Sequence, residues 1–314
     1  MRFRSPNKRF LTISYQQKTT KEKVIVSTIL NIGNTFQLAA GSIVGTDHRK
    51  PFLWKNNQDA FTVRASDDRI IAVVADGCGS GHFSEMGARL GVHLTAGALS
   101  QIDWSDENGL VAALAKARTN ILASMNNFID ASAVESRSQF VIHNLLFTLI
   151  ALIITPEKTF VIGVGDGVFA VNGNITRIGP FPGNEPPYLV YGGLVSSRVA
   201  PELCDFVIYQ ALPTAEVQSA CIGTDGAGDF LHIAEHTMPS QSDRHKKELV
   251  GPLSQFWENE QFFKNPEAIR RRLNLINNSI ARPNWETKEV EVENGRLKDD
   301  TTLVVVLRRP QPKD

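Results

Sequence analysis

Short apolar runs recur along the chain at residues 36–44, 60–65, 70–75, 145–154, 160–164, 168–171, 220–223 and 303–307. They are rich in Val, Ile and Phe and bounded by Gly, Asn or Asp, so each predicts a β-strand. Between the third and fourth runs the period lengthens. Met86, Leu90 and Leu94, then Leu110, Leu114, Ile121 and Met125, recur at helical spacing and predict two helices. A later helix is predicted by Asn265 as cap, Pro266 at the first helical position, and Ile269, Leu273 and Ile276 on one face, with Arg270, Arg271 and Arg272 as a solvated face. Asn172-Gly173 reads as a hairpin turn. The segment 179–193 (GPFPGNEPPYLVYGG) is too rich in Pro and Gly for a regular element and reads as a long surface loop or flap. Strands first, helices inserted and strands returning fit a largely antiparallel α+β domain better than a βαβ repeat.

Composition narrows the class. The 314 residues are 42% apolar and 21% charged, close to the average for soluble globular proteins. Lys plus Arg and Asp plus Glu are 33 each, so no global field would hold nucleic acid or an anionic membrane. Cys78, Cys204 and Cys221 contain no CxxC pair, which argues against a disulfide framework or structural zinc and points to a reducing, cytoplasmic compartment. The most apolar stretch, 145–154, is about half of what a bilayer crossing needs, so no membrane span is expected.

The chemistry lies with aspartates at the ends of the apolar runs. Asp76 stands in VVADGCGSGHFSE, Asp166 in VIGVGDG, Asp225 in CIGTDG and Asp299 in KDDTTLVVV, while Asp59 precedes a strand in NNQDAF. Each Asp-Gly taken singly has a bland explanation as a tight turn. Together they matter more, because carboxylates at strand ends converge when strands share a sheet, and converging carboxylates repel unless a cation neutralises them. Oxygen ligands without a His or Cys cluster favour Mg²⁺ or Mn²⁺.

In this order the segments NQDAF, VVADGCGSGHFSEMGA, VIGVGDG with CIGTDG, and KDDTTLVVV resemble the metal-dependent protein serine/threonine phosphatases of the type 2C family, and GTDH near Asp47 and PPYLVY near Tyr188 resemble its bacterial-type branch. The resemblance spans about residues 41–307. It implies a central sandwich of two antiparallel β-sheets flanked by helices, with a two-metal site at one end. It divides the chain into a basic N-terminal arm and first strand region at 1–30, a phosphatase-like domain at 31–309 and a tail at 310–314. Carried across by motif, Asp76 bridges two Mg²⁺ or Mn²⁺ ions, the Gly77 carbonyl binds one, and Asp225 and Asp299 hold the other. Asp166 matches the position that helps bind a third, weaker metal, and Asp59 orients the water that attacks. Asp300, beside Asp299, orders the loop. The implied substrate is a phosphoserine or phosphothreonine in a protein.

Two positions depart from the pattern. Cys78 stands where many relatives carry His, and Trp54 stands five residues before Asp59, where many carry a phosphate-binding Arg. Arg49, Lys50, Lys55 or His48 are the local replacements for that cation. These departures motivate an alternative, a catalytically weak or inactive phosphatase-fold binding module that recognises a partner. Cys78 with His82 and His143 also raises a thiol nucleophile, but the CX₅R phosphate loop is absent, since position 84 is Ser84. Gly77, Gly79 and Gly81 raise a nucleotide site whose spacing departs from GxGxxG and leaves the carboxylates unexplained.

Overall fold

The computed structural model describes residues 23–25, 30–32, 35–49, 55–196, 198–239 and 248–310. Residues 1–22, Lys50 and Trp54 lie outside them. The strands are β1 (Lys23–Ile25), β2 (Leu30–Ile32), β3 (Phe36–Ile43), β4 (Asp59–Ala65), β5 (Ile70–Gly77), β6 (Phe147–Ile154), β7 (Lys158–Val164), β8 (Gly167–Val171), β9 (Asn174–Ile178), β10 (Val207–Pro213), β11 (Ser219–Gly223), β12 (Ile280–Asn284), β13 (Glu289–Glu293) and β14 (Thr301–Arg308). The helices are α1 (Glu85–Leu99), α2 (Leu110–Ala131), α3 (Arg137–Asn144), α4 (Phe230–Ile233), α5 (Gln255–Glu258) and α6 (Ala268–Ile276).

Two six-stranded sheets form, ordered β1-β4-β5-β6-β7-β10 and β2-β3-β14-β11-β8-β9, and β12–β13 is a separate hairpin. The layering follows from which residues alternate. Ile70, Ala72 and Val74 of β5 and Ile150, Leu152 and Ile154 of β6 meet Ile222, Val304 and Val306 of the opposite sheet. The intervening Ile71, Val73, Ala75, Leu149, Ala151 and Ile153 lie beneath α1 and α2. Both faces of β6 are therefore covered, which is why FTLIALII shows no polar alternation. On the second sheet Ala39, Cys221, Leu303 and Val305 pack under Phe256, Ile269 and Leu273. The result is the expected α+β sandwich with helices on both outer faces.

Every strand expected from the sequence is present, with ends displaced by a residue or two. The Asn172-Gly173 hairpin joins β8 to β9 with positive φ at both positions, 51° and 82°. Four expectations need correction. The inner face of α1 is not the Met86, Leu90, Leu94 stripe but the small residues Gly87, Ala88, Gly91, Val92 and Ala96, with Met86 36% exposed. Small residues let α1 press onto the sheet: a Cβ on Gly91 would stand 2.5 Å from the Phe147 ring. α6 starts at Ala268 rather than Pro266, because the Asn265 side chain accepts from the Glu267 amide at 2.9 Å in a turn preceding the helix. Arg272 is not solvated; its guanidinium donates to the carbonyls of Leu249 and Val250 and clasps that loop against α6. The segment 179–193 is irregular and lies at the surface over 179–185, but residues 186–190 are buried and Tyr188, Leu189 and Val190 join the core with α2. At Asp166 the chain crosses between the sheets, since β7 and β8 belong to different ones.

Candidate metal centre and active site

The β4–β5 ladder begins with Asp59 opposite Asp76. Asp59 is buried, at 4% exposure. Its Oδ2 accepts from the Thr224 hydroxyl at 2.7 Å, and Thr224 Oγ1 accepts in turn from the Thr302 amide at 3.1 Å. One side-chain relay thus ties the end of the first sheet to β11 and β14 of the second. The other oxygen, Asp59 Oδ1, is buried and has no hydrogen-bond partner.

Burial pushes the Asp76 carboxyl well above the ordinary range, and the charges of Asp59, Asp225, Asp299 and Asp166 push it further. Asp59 is raised in the same way, first by burial and then by Asp300. Asp225 is pushed up to about 7 by burial, then by Asp299 and Asp166. Burial also raises Asp166, against a hydrogen bond from Thr148, and Asp299 at the rim of the pocket. The five aspartates singled out in the sequence therefore share one electrostatic neighbourhood. It is contributed by β4 and β5 of one sheet, the crossover to the second sheet, and the loops after β11 and before β14. An all-oxygen donor set of mutually repelling carboxylates, with a buried oxygen left unpaired, fits a hard divalent cation.

Asp300 does something different. Its Oδ1 accepts from the Gly45 amide at 2.7 Å and from His48 at 2.9 Å, and its Oδ2 accepts from the Gln58 amide at 2.5 Å. Donor atoms of His48, Asp299 and Asp300 lie within 4.8 Å of one another. However, the Asp300 oxygens are already committed, so this trio is a strut that locks the loop before β14 to the start of β4. The bond to Asp300 raises the His48 pKa against the effect of burial.

Gly77 closes β5, and close approach requires glycine there: a Cβ would stand 2.6 Å from the Ser84 carbonyl oxygen. The following loop is held by the Cys78 amide on Leu146 and by the His82 and Phe83 amides on the His143 carbonyl. The rings of His82 and His143 stack 4.2 Å apart. Cys78 Sγ lies 3.2 Å from Ser80 Oγ and also contacts the Tyr188 hydroxyl. Lys55 donates to the Gly79 carbonyl, placing an ammonium on this loop.

Two residues at the site escaped the sequence reading. Asp229 is raised by burial and by Asp299, and Arg177 of β9 lowers both Asp229 and Asp166. The second acidic residue of DGAGD was a usable signal for Asp229. Arg177 carried none, because β9 was not recognised.

Residues 44–261 match the protein phosphatase 2C family. No curated protein matches the sequence significantly. The serine-threonine phosphatase 2C from Toxoplasma gondii shares the fold at a TM-score of 0.50 and 14% identity, covering 91% of this chain and 99% of that one. Stp1 from Staphylococcus aureus aligns at 0.49 and 11% identity, over 91% of this chain and 100% of that one. The serine/threonine phosphatase PstP/Ppp from Mycobacterium tuberculosis aligns at 0.43 and 15%, over 87% and 98%.

Proposed function

The chain belongs to the protein phosphatase 2C family, and from that premise we propose that Asp76, Asp225 and Asp299 with the Gly77 carbonyl hold two divalent cations, Mg²⁺ or Mn²⁺. The protein is a metal-dependent hydrolase that removes phosphate from phosphoserine and phosphothreonine in proteins. The observation that carries the residue assignment is that Asp59, Asp166, Asp225 and Asp299 all act on the Asp76 carboxyl from the ends of strands in both sheets. Nothing in the geometry favours the inactive alternative.

When bound, the cations polarise water and offset the charge of phosphate oxygens during in-line attack. The chain's own groups prepare that event. Asp76 is fixed by its place in the β5 ladder beside Asp59. Asp59, anchored through one oxygen to Thr224, directs its free Oδ1 to orient water. Asp300 spends no oxygen on metal and instead sets the loop that positions Asp299. Asp166, at the crossover between sheets, is proposed to help hold a third, weaker ion. Of the replacements for the missing phosphate-binding Arg, His48 is committed to Asp300, whereas Lys55 contacts the loop after Asp76. Lys55 is therefore proposed to face the substrate phosphate.

A signalling role and a cytoplasmic location belong to the same proposal, and the three free cysteines suit the reducing compartment it implies. Among the described residues no helix is long and apolar enough to cross a membrane. The test is turnover of a small aryl phosphate with Mn²⁺. It should be abolished by chelator and by Asp225→Asn, with the circular dichroism spectrum unchanged; metal-independent turnover by the Asp225→Asn protein would overturn the assignment.

A further inference from the structure

Apart from the acidic site, a cavity of about 330 Å³ opens between the end of β3, residues 55–57 and α6. Its character is opposite. Arg49, Lys55 and Arg270 line it together with the amides of Asn56, Asn57 and Asn274, and no carboxylate is among the lining residues. Arg270 and Asn274 are one helical turn apart on α6, so both reach the same opening. Two acids touch lining residues directly: Glu85 accepts from the Asn56 amide at 2.8 Å, and Glu267 pairs with Arg270 Nε.

The cavity is also wired to the reaction centre. Asn57 Oδ1 accepts from the Asp59 amide at 3.0 Å, and its Nδ2 donates to Ser42 Oγ at 2.8 Å. Ser42 Oγ accepts from Thr302 at 2.6 Å. Lys55 stands at the boundary, lining this cavity while donating to the Gly79 carbonyl. Through Lys55 and Asn57 the cavity therefore adjoins the segments that carry Asp76 and Asp59.

We propose that this cavity binds a second anionic group of the substrate, a phosphate or a carboxylate flanking the residue being dephosphorylated. Arg49, the Arg270 guanidinium beyond its Nε, Lys55 and the Asn274 amide face an opening that no carboxylate lines, and their donors are matched by phosphate or carboxylate oxygens. The proposal rests on the phosphatase reading for the identity of its ligand, but the cavity is separate from the proposed metal ligands.

The test compares three phosphothreonine peptides: one with neutral flanks, one with a second phosphate nearby, and one with flanking glutamates. Wild-type kcat/KM with Mn²⁺ should favour an anionic peptide on the order of fivefold or more. Arg270→Ala should abolish that preference and Arg270→Lys should retain part of it, while turnover of para-nitrophenyl phosphate stays at the wild-type level in both. Preference for the doubly phosphorylated peptide alone identifies phosphate; equal preference for both identifies any anion. No wild-type preference, or a preference that survives Arg270→Ala, overturns the proposal. Peptide binding is measured in parallel in chelator, with the same expectation for Arg270→Ala. If no phosphoester is hydrolysed at all, the phosphatase reading fails, and this binding comparison still decides the cavity by itself.

Discussion

Asp59 and Asp76 face each other on the end rung of the β4–β5 ladder, and the charge of Asp59 raises the pKa of Asp76. Like charges opposed across strands destabilise a sheet. The terminal rung is thus a place where function is installed at the expense of the fold, and its cost depends on pH and on cations.

Asp76, Asp225, Asp166 and Asp299 are all raised in the folded chain, so the metal-free fold binds more protons than the unfolded chain between about pH 4 and 7. Their contribution to stability is full below the unfolded carboxylate range and is lost as pH rises through the folded values. Chelated protein should therefore lose melting temperature across that window. Added Mn²⁺ should raise the melting temperature more at pH 7.5 than at pH 5. An equal metal-induced shift at the two pH values would contradict the shared carboxylate site.

Asp225→Asn removes one of the repelling charges while shortening the ligand set. Turnover should fall by on the order of a hundredfold or more, while the melting temperature in chelator at pH 7.5 should rise. Thermal denaturation and aryl phosphate assays on the same preparation check both. A fall in both would mean that Asp225 is structural.

Asp299 and Asp300 are neighbours with separable roles. Asp300→Ala strands the buried amides of Gly45 and Gln58 and should cost about 2–4 kcal/mol of stability. Asp299→Ala should leave stability nearly intact and weaken metal activation. Urea denaturation paired with a Mn²⁺ titration separates them, and the reverse pattern would exchange their roles.

Lys55→Ala should raise KM for an aryl phosphate severalfold with little change in the Mn²⁺ concentration needed for half-activation, on the order of 1 kcal/mol for one lost charge contact. An unchanged KM would remove Lys55 from the phosphate-binding role.

Gly91→Ala improves helix propensity by about 1 kcal/mol. Yet its new methyl would meet the Phe147 ring at 2.5 Å, and overpacking of a core costs about 1–3 kcal/mol. A net loss in melting temperature is expected; a gain would mean that α1 can lift from the sheet without cost.

The sandwich was legible where large apolar residues mark the strands, as in β5, β6 and β14. It was obscured where packing relies on small residues. The inner face of α1 is Gly, Ala and Val, which produce a weaker periodic signal than the half-exposed Met86, Leu90 and Leu94. Edge strand β9, NITRI, is exposed or half-buried throughout and offers little alternation to read. Arg272 looked solvated because sequence shows a charge but not the carbonyls it serves. The aspartates were readable because they stand at the ends or starts of apolar runs; Arg177, on the unrecognised edge strand, was not.

The Thr224 relay and the Asp300 strut both join parts of the chain remote in sequence, Asp59 to Thr224 and Gly45 to Asp300, across the ends of both sheets. A constellation divided in this way cannot be grafted as one loop or recovered from a fragment carrying half of the strands. Splitting the chain within 99–110, between α1 and α2, should yield pieces that are each silent and regain turnover only when mixed, so complementation becomes a gauge of how faithfully the two layers register.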